Sequence, residues 1–447
     1  MTLTSDLTYT DGVPGIDHHS HAGYIRPGAR PEGIDATERE MALDHVEAQI
    51  PSDDFLAYVD AEREGDHETV AALEERHSIA KHFEDGVLFH STSMHSVSLL
   101  EGARAMYGEM SYDEYAQESL RRRLTDPVGL YDEALKKAGT PMVLTDVPEI
   151  DGAQWSRDVY KPIARLDPYL FPFGHPRWVR RGSDTPRFRR IFSAVLQRQL
   201  DIAGLVAPPS EVADYVRFVR ESIGRRQSDG FVGLKIASAY VRSLDFQPVA
   251  QSDAAAIYSS FANGTEVTEE AYKVLADYLL FEIAQIALDL ELPIQVHTGV
   301  GHSEPGLRVA DADPLLLQNF LDQPRFNRLK VILIHGGFPF TDHLTALAFG
   351  HGNVYLDMSL MPQMHGALLG RVLEDWLTYL PGNRVMFGTD TGNAEHHVSS
   401  SNRGRRALDR VLQEGVRDAS WSAKQAAWLA GRVMHQNLAD VYGVSLS

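Results

Sequence analysis

The stretch Pro293–Gly301, PIQVHTGVG, is a short apolar run that ends in a histidine and a glycine-containing turn. Three later stretches repeat this plan: Val331–Gly337 (VILIHGG), Asn353–Ser359 (NVYLDMS) and Val385–Gly392 (VMFGTDTG). Short apolar runs bounded by turn residues are typical of strands that are buried on both faces. These stretches therefore predict four buried strands in the second half of the chain.

Amphipathic segments lie between these stretches. The segment Thr268–Leu290 begins with Thr268 as its expected N-cap and has two glutamates in its first turn, which favours a helix. The segment Gly366–Leu380 has apolar residues at helical spacing. Because helices and buried strands alternate, the pattern predicts a parallel sheet.

Four earlier runs meet the same criterion and bring the count to eight. They are Gly15–His21 (GIDHHSH), Thr140–Pro148 (TPMVLTDVP), Tyr160–Pro168 (YKPIARLDP) and Phe231–Tyr240 (FVGLKIASAY). Eight strands that alternate with helices predict an α/β fold, the (β/α)8 TIM barrel. In such a barrel the active site lies at the C-terminal ends of the strands.

The chain is longer than a barrel requires. A barrel core takes about 250 residues, whereas the chain has 447. We therefore expect one barrel domain over residues 1–447 that carries insertions. The longer insertion is helical and covers residues 24–139, after strand 1; a second runs from residue 169 to about residue 230, between strands 3 and 4.

The composition limits the kinds of molecule that the protein is expected to bind. The chain carries 42 Lys and Arg against 62 Asp and Glu, a formal charge of −20, and has no Lys/Arg run long enough to track a phosphate backbone, so nucleic acid and anionic membranes are not expected partners. A small molecule is the expected substrate. The absence of cysteine excludes disulfides, thiolate zinc sites and a cysteine nucleophile. The N-terminus resembles no signal peptide, and we expect a cytoplasmic location.

The predicted strand ends carry the residue types that divalent metals accept. With 19 histidines in 447 residues, chance alone supplies about 0.8 His-x-His triplets, so the triplet His19-Ser20-His21 is weak by itself. Its place on a strand matters more, because alternate residues point the same way and both histidines can reach one ion. We expect His18 to face away from that ion. The strand-end residues are His19, His21, Asp146, Arg165, Asp167, Lys235, His297, His335, Asp357 and Asp390.

Four motifs together resemble the amidohydrolase superfamily: DxHxH on strand 1, HTG on strand 5, HGG on strand 6 and GTD on strand 8. More narrowly, stretches such as GLKIASAY, ILIHGGFPF and NLADVYGV resemble the amidohydrolase-related branch that contains the FluG-type amidohydrolases. This likeness covers about residues 137–443 together with strand 1.

The resemblance implies a divalent metal bound by His19, His21, His297 and Asp390. Zinc is the first expectation, with manganese and iron as alternatives. It further implies a metal-activated water, with Asp390 as the proton shuttle. His335 would polarise the substrate carbonyl or bind a second metal. Lys235 would be carboxylated and bridge two ions, or, unmodified, would bind a substrate carboxylate; we favour one ion.

Further residues are candidates for substrate binding. Arg165 and Arg242 are expected carboxylate clamps; alternatively Arg165 pairs with Asp167 or another barrel carboxylate, and Arg242 is a solvated loop charge. Tyr240 and His302 follow strand ends and are expected to line the pocket.

Other polar residues receive supporting roles. Asp17 is expected to orient the first loop or a ligand histidine, and Asp357 to be a buried hydrogen-bond acceptor or a partner of a ligand. His396 and His397, after strand 8, are expected at the surface or in loop packing.

These observations predict a metal-dependent hydrolase that cleaves an amide-like or amidine-like C–N bond of a small polar substrate. One alternative is a metal-dependent decarboxylase of a small aromatic or unsaturated acid, and uronate isomerases have similar metal sites. A third interpretation is a non-catalytic binding or scaffold barrel. Barrels of this branch are often oligomers, so a homo-oligomer is also open.

Overall fold

Eight parallel strands form the centre of the molecule. The computed structural model describes residues 8–22, 33–146, 156–174, 184–265, 267–301 and 307–446. Each strand pairs with the next along the chain, in the order β1 to β8. The strands are β1 (Ile16–Ser20), β2 (Met142–Asp146), β3 (Tyr160–Arg165), β4 (Gly233–Ile236), β5 (Ile294–His297), β6 (Val331–Ile334), β7 (Val354–Asp357) and β8 (Val385–Met386). All eight fall within the predicted stretches, and the predicted barrel is confirmed.

Backbone hydrogen bonds connect β1 to the segment that follows β8. His18 N donates to Phe387 O at 3.0 Å, Asp390 N donates to His19 O at 2.7 Å, and His21 N donates to Thr391 O at 3.0 Å. The first and last strand segments therefore lie side by side, and the barrel is nearly closed.

The segment between β1 and β2 is helical over its described residues. It contains α1 (Ile34–Met41), α2 (Leu43–Gln49), α3 (Ser52–Glu64), α4 (His67–His77), α5 (Ile79–His90), α6 (Met94–Tyr107), α7 (Tyr112–Thr125) and α8 (Pro127–Ala138). Helices α2 to α5 enclose a small apolar core of their own, which includes Val46, Phe55 and Phe83. The later helices pack on the barrel.

The remaining helices follow β3 to β8. They are α9 (Asp167–Leu170), α10 (Asp184–Ile202), α11 (Val212–Ser228), α12 (Gln251–Ala262), α13 (Glu269–Asp289), α14 (Gln318–Leu321), α15 (Thr341–Gly350), α16 (Met361–Met364), α17 (Gly366–Tyr379), α18 (Ala394–Arg417), α19 (Ala423–Gly431) and α20 (Asn437–Tyr442). The expected N-cap of α13 is present, because Thr268 Oγ1 accepts from Ala271 N at 3.2 Å. In the described part of the chain, no helix is both long and apolar enough to cross a membrane.

The C-terminal helix α20 closes the N-terminal end of the barrel. Lys330, which precedes β6, donates to the carbonyls of Asp440 and Val441 at 3.2 and 2.7 Å. Apolar residues from α20 and from the strands form one buried cluster inside the barrel: Ile16, Met142, Leu144, Ile163, Ile332, Ile334, Met386, Leu438, Val441 and Tyr442. This end is filled with side chains, so the C-terminal end of the barrel is the open one.

Helix α6 of the insertion lies close against the first turn of α18, and Gly102 permits this contact. A Cβ atom on Gly102 would lie 1.8 Å from the carbonyl oxygen of Glu395. Ser98 Oγ and Ser399 Oγ are 2.8 Å apart in the same interface. The insertion is therefore packed directly on the helix that follows β8.

This contact yields a stability prediction. Gly102→Ala should lower the free energy of unfolding by about 1–3 kcal/mol, because α6 or α18 must shift to admit the methyl group. Gly224→Ala in α11 is the matched control, since no atom lies within 4 Å of the Cβ position, and it should be neutral or slightly stabilising. Urea unfolding of both variants measures the difference. Equal stabilities would contradict the packing of α6 on α18.

Candidate metal centre

Asp390 is the residue on which the strand ends converge. Its Oδ1 lies 3.1 Å from His19 Nε2 and 3.4 Å from His21 Nε2. Its Oδ2 lies 3.6 Å from His335 Nδ1. The ends of β1, β6 and β8 thus bring three imidazoles around one buried carboxylate, although these residues are far apart in the sequence.

Two of these residues have left-handed backbone conformations. His335 has φ 74° and Asp390 has φ 58°, and neither is glycine. Such conformations cost on the order of 1–3 kcal/mol and are concentrated at functional sites. Here they occur immediately after β6 and at the end of β8, where they direct both side chains toward the same point.

The protonation states suit a divalent metal. Burial, together with the Lys235 ammonium, lowers the pKa of His19 to about 4. Burial likewise lowers the pKa of His335 well below its usual value. Burial opposes ionisation of Asp390, but its contacts with His335, His19 and His21 outweigh that effect and hold the pKa of the carboxyl well below its usual range. Neutral imidazoles and a carboxylate are the ligands that zinc and similar ions accept.

Among the described residues, two groups of side chains bring their ligand atoms within 4.8 Å of one another. One group is His19, His335 and Asp390, all buried; the other is His19, His21 and Asp146. His19 belongs to both. The donor set and its convergence therefore fit a metal ion.

Asp146 forms an ion pair with Arg165. Arg165 Nε lies 3.0 and 3.1 Å from the two carboxylate oxygens of Asp146, and Arg165 Nη2 lies 2.9 Å from Oδ2. Burial opposes the charge on Asp146, but Arg165 and Lys235 outweigh it and hold the pKa of the carboxyl well below its usual range. Asp146 therefore pairs with both cations beside the centre.

His297, a predicted ligand, is in neither group. The hydroxyl of Tyr240 lies 3.1 Å from His297 Nδ1, and the carbonyl of Gly299 lies 3.3 Å from Nε2. His297 brings no nitrogen within 4.8 Å of all the ligand atoms of either group, so the structure does not group it with the other predicted ligands. Its ring does lie against that of His335, with centroids 4.6 Å apart, so these two imidazoles are neighbours at the edge of the centre.

Lys235 is buried at the end of β4. Its Nζ lies 3.1 Å from His19 Nε2 and 3.8 Å from Asp146 Oδ2. Burial lowers its pKa, although Asp146 opposes that effect. The side chain is therefore in position either to bind an anionic group or to take part in a second metal site, and its carboxylation stays a prediction.

The two predicted arginine clamps have structural partners. Arg165 pairs with Asp146, not with Asp167, whose carboxylate accepts from Ala237 N at 2.9 and 3.0 Å. Arg242 was expected to be a clamp or, alternatively, a solvated loop charge, and the second expectation is wrong. It is buried, and its Nη2 donates to Asp277 Oδ1 at 2.6 Å. A buried cation requires such a carboxylate, which explains the correction.

The remaining predicted residues fall into three places. Tyr240 lies at the centre, beside His297. His302 is outside the described residues. Asp17 accepts from Thr389 N at 2.9 Å and from His19 N at 3.3 Å, so it supports the backbone around the centre and is absent from both ligand groups.

His18 also stays out of the ligand groups, but the simple alternation of the strand is not the reason. The register of β1 against β2 shifts between Asp17 and Ser20. Gln295 of β5, on the opposite side of the barrel, contacts both His18 and His19. Both histidines therefore point inward, and His18 lies below the centre with its nitrogens on Asp357 and Tyr442.

His396 and His397 correct another expectation. Both are buried in α18, not at the surface or in a loop, and the ring of His396 lies 4.4 Å from that of His95 in α6. The carboxylate of Glu395 accepts from Tyr107 and Ser119, both at 2.6 Å. No local pattern signals these contacts, because their partners come from the insertion, almost 300 residues earlier.

Gln295, Ser359 and Tyr442 contact the centre's histidines directly or through one neighbour, and sequence reasoning missed all three. A signal existed for two of them. Gln295 lies two residues before His297 and Ser359 two residues after Asp357, so each shares the strand face of a recognised residue. Tyr442, at the end of the chain, had no such signal.

The chain is similar in sequence or in fold to several known proteins. The chain is 26% identical over 225 residues to Protein fluG of Emericella nidulans, a match of 47% of this chain and a quarter of that protein's length. Among solved structures, a protein of Lactobacillus casei ATCC 334 described as a metal-dependent hydrolase has a TM-score of 0.64 at 18% identity, covering 97% of this chain and 96% of its own.

A glucuronate isomerase from Caulobacter crescentus has a TM-score of 0.63 at 17% identity, with 97% and 92% of the two chains covered. At these identities the two structures share the fold with this chain. The family model for amidohydrolases matches residues 178–412, which include His297, His335 and Asp390. Because this match covers more than half of the chain, the protein belongs to the amidohydrolase family.

Proposed function

We propose that this protein is a metal-dependent hydrolase that cleaves a C–N bond, amide-like or amidine-like, in a small polar substrate. The observation that carries the proposal is the buried Asp390 carboxylate, which His19, His21 and His335 approach at 3.1 to 3.6 Å. Membership of the amidohydrolase family, which implies a divalent metal, supports it.

We propose that His19, His21 and Asp390 hold the ion, with zinc as the first candidate because most of the ligands are imidazoles. A divalent ion in such a site lowers the pKa of water toward neutrality and polarises a carbonyl. His297 and His335 lie ring against ring, and one of them completes the ligand set. The other lies beside the substrate carbonyl.

Asp390 has a second task in this proposal. Its low pKa keeps the carboxylate ionised at neutral pH, so it can accept the proton of the attacking water. Cleavage of a C–N bond requires a proton on the leaving nitrogen, and the protonated Asp390, as a strong acid, can deliver it. One carboxylate thereby serves both proton transfers.

Lys235 and Arg165 indicate the kind of substrate. Lys235 is a buried cation that contacts His19, and Arg165 reaches the same region through Asp146. A small substrate with an anionic or strongly polar group would meet these charges. The acidic chain as a whole gives no basic surface for a larger polyanion, which supports a small-molecule substrate.

The first test is metal removal and replacement. Chelated protein should lose turnover of its C–N substrate, and stoichiometric zinc should restore it, because the carboxylate and imidazoles alone do not activate water. The assay is release of ammonia or amine from a panel of small amides and amidines, run beside a panel of aromatic acids and uronic acids. Turnover only as release of carbon dioxide, or as aldose–ketose conversion, would overturn the proposal.

The second test replaces the shuttle. Asp390→Asn should lower kcat by about 10²-fold or more, because an amide cannot accept the proton, while the unfolding transition stays close to that of the wild type. Asp313→Asn is the matched control, since Asp313 lies outside the centre and bonds His343 and Leu315 N. Activity of Asp390→Asn within tenfold of the control would contradict the role of Asp390.

A further inference from the structure

A polar layer lies inside the barrel below the metal centre. It consists of His18 from β1, Gln295 from β5, Asp357 from β7 and Tyr442 from α20, all buried. Strand residues nearer the N-terminal end of the barrel contribute apolar side chains. Residues at the C-terminal ends of the strands contribute the candidate ligands. Buried polar groups require hydrogen-bond partners, and the partners here form one connected chain.

Asp357 accepts hydrogen bonds from every partner. Its Oδ1 accepts from Ser359 N at 2.9 Å, from the Ser359 hydroxyl and from His335 N at 3.4 Å. Its Oδ2 lies 2.9 Å from His18 Nδ1. Because the carboxylate only accepts, His18 donates from Nδ1, and its Nε2 carries a lone pair.

The lone pair on His18 Nε2 determines which of the neighbouring groups donate hydrogen bonds. The hydroxyl of Tyr442 lies 2.8 Å from His18 Nε2 and donates to it. The amide nitrogen of Gln295 lies 3.2 Å from the Tyr442 oxygen and 3.0 Å from the carbonyl oxygen of His18. A backbone carbonyl can only accept, so the amide NH2 of Gln295 must face His18 and Tyr442.

The orientation of Gln295 determines the tautomer of His19. With its NH2 directed at His18, the Gln295 Oε1 faces His19 Nδ1 at 2.9 Å and accepts from it. His19 therefore carries its proton on Nδ1 and turns the lone pair of Nε2 toward Asp390 and Lys235. Only this tautomer lets Nε2 bind a metal ion.

The Asp357 carboxylate also determines the tautomer of His335, through Ser359. The Ser359 hydroxyl donates to Asp357, so it accepts from His335 Nδ1, which lies 3.0 Å away. His335 thus also carries its proton on Nδ1 and leaves Nε2 with a lone pair. One buried carboxylate fixes the proton positions of two histidines that border the centre.

We propose that Asp357 and Tyr442 are positioning residues of the metal centre: together with the His18 carbonyl they hold the Gln295 amide in the orientation that sets the tautomer of His19, and Asp357 also sets that of His335. The inference rests on the metal centre of the proposed function. Tyr442 acts from α20, at the closed end of the barrel. Gly233 in β4 makes room for it, because a Cβ there would lie 2.7 Å from Tyr442 Cε1.

Asp357→Asn is the most informative variant, because it keeps the shape of the side chain and reverses the direction of the hydrogen bonds. The amide oxygen must still face the N–H groups of Ser359 and His335, so the NH2 faces His18. His18 then carries its proton on Nε2 and donates to Tyr442. Tyr442 and the amide NH2 of Gln295 then direct hydrogens at each other. Turning the Gln295 amide over relieves this conflict, at the loss of its bond to the His18 carbonyl, and presents NH2 to His19 Nδ1. In that orientation His19 Nε2 is protonated and cannot bind the ion.

The experiment measures zinc affinity by competition with a chromophoric chelator. Asp357→Asn should bind zinc about 10- to 100-fold more weakly than the wild type. Tyr442→Phe should show a smaller loss in the same direction, since Gln295 keeps its bond to the His18 carbonyl. Tyr215→Phe is the matched control: its hydroxyl is equally buried and donates to Tyr169 O at 2.8 Å, and its loss should leave zinc affinity unchanged.

A second readout requires neither metal nor turnover. Multiple-bond ¹H–¹⁵N NMR of the metal-free wild type reports which nitrogen of each imidazole carries the proton, and His19→Gln identifies the His19 signals. We expect the Nδ1–H form of His19 in the wild type and the Nε2–H form in Asp357→Asn. An Nε2–H form in the wild type, or zinc affinity of Asp357→Asn within twofold of it, would overturn the inference. A wild type that binds no zinc would overturn the proposed function alone.

Discussion

The site depends on one unfavourable arrangement that the fold makes stable: an ionised carboxylate buried among imidazoles. Burial opposes the charge on Asp390. The nitrogens of His19, His21 and His335 approach the carboxylate from β1 and β6, and the backbone bond from Asp390 N to His19 O holds the last strand segment against the first. The contacts that close the barrel therefore also position Asp390 in the centre.

Much of the fold could be predicted from the sequence, because it follows from local patterns. Apolar runs between turn residues identified all eight strands, and their ends identified the residues that converge, including His19, His21 and Asp390. A barrel then requires those ends to meet. The ligand set was harder. His297 has the right type and place, but it lies beside Tyr240 and Gly299 and outside both ligand groups, and these distances depend on the three-dimensional packing.

The missed features share a physical cause, which is contact between distant segments. Alternation along β1 predicts that His18 points outward, but the register shift after Asp17 turns it inward. Arg242 resembles a loop cation until Asp277 of α13 is placed beside it. Glu395 resembles part of a polar surface until Tyr107 and Ser119 of the insertion cover it. In each case the partner lies in a different helix or strand from the residue that it contacts.

The centre rests on two kinds of support. Above, the insertion packs α6 on α18 and holds the helix that follows Asp390. Below, the polar layer transmits the acceptor character of Asp357 to His19 and His335. A histidine binds a metal ion only if the lone pair of one ring nitrogen faces the ion. In this protein, residues outside the proposed ligand set direct those lone pairs.

An anomalous-scattering map at the zinc edge, from crystals grown with zinc, tests the metal centre most directly. We expect one peak at about 2.0–2.2 Å from Nε2 of His19, Nε2 of His21 and a carboxylate oxygen of Asp390, with His297 or His335 as the fourth side chain. Absence of a peak at Asp390, or two peaks bridged by a carboxylated Lys235, would contradict this expectation.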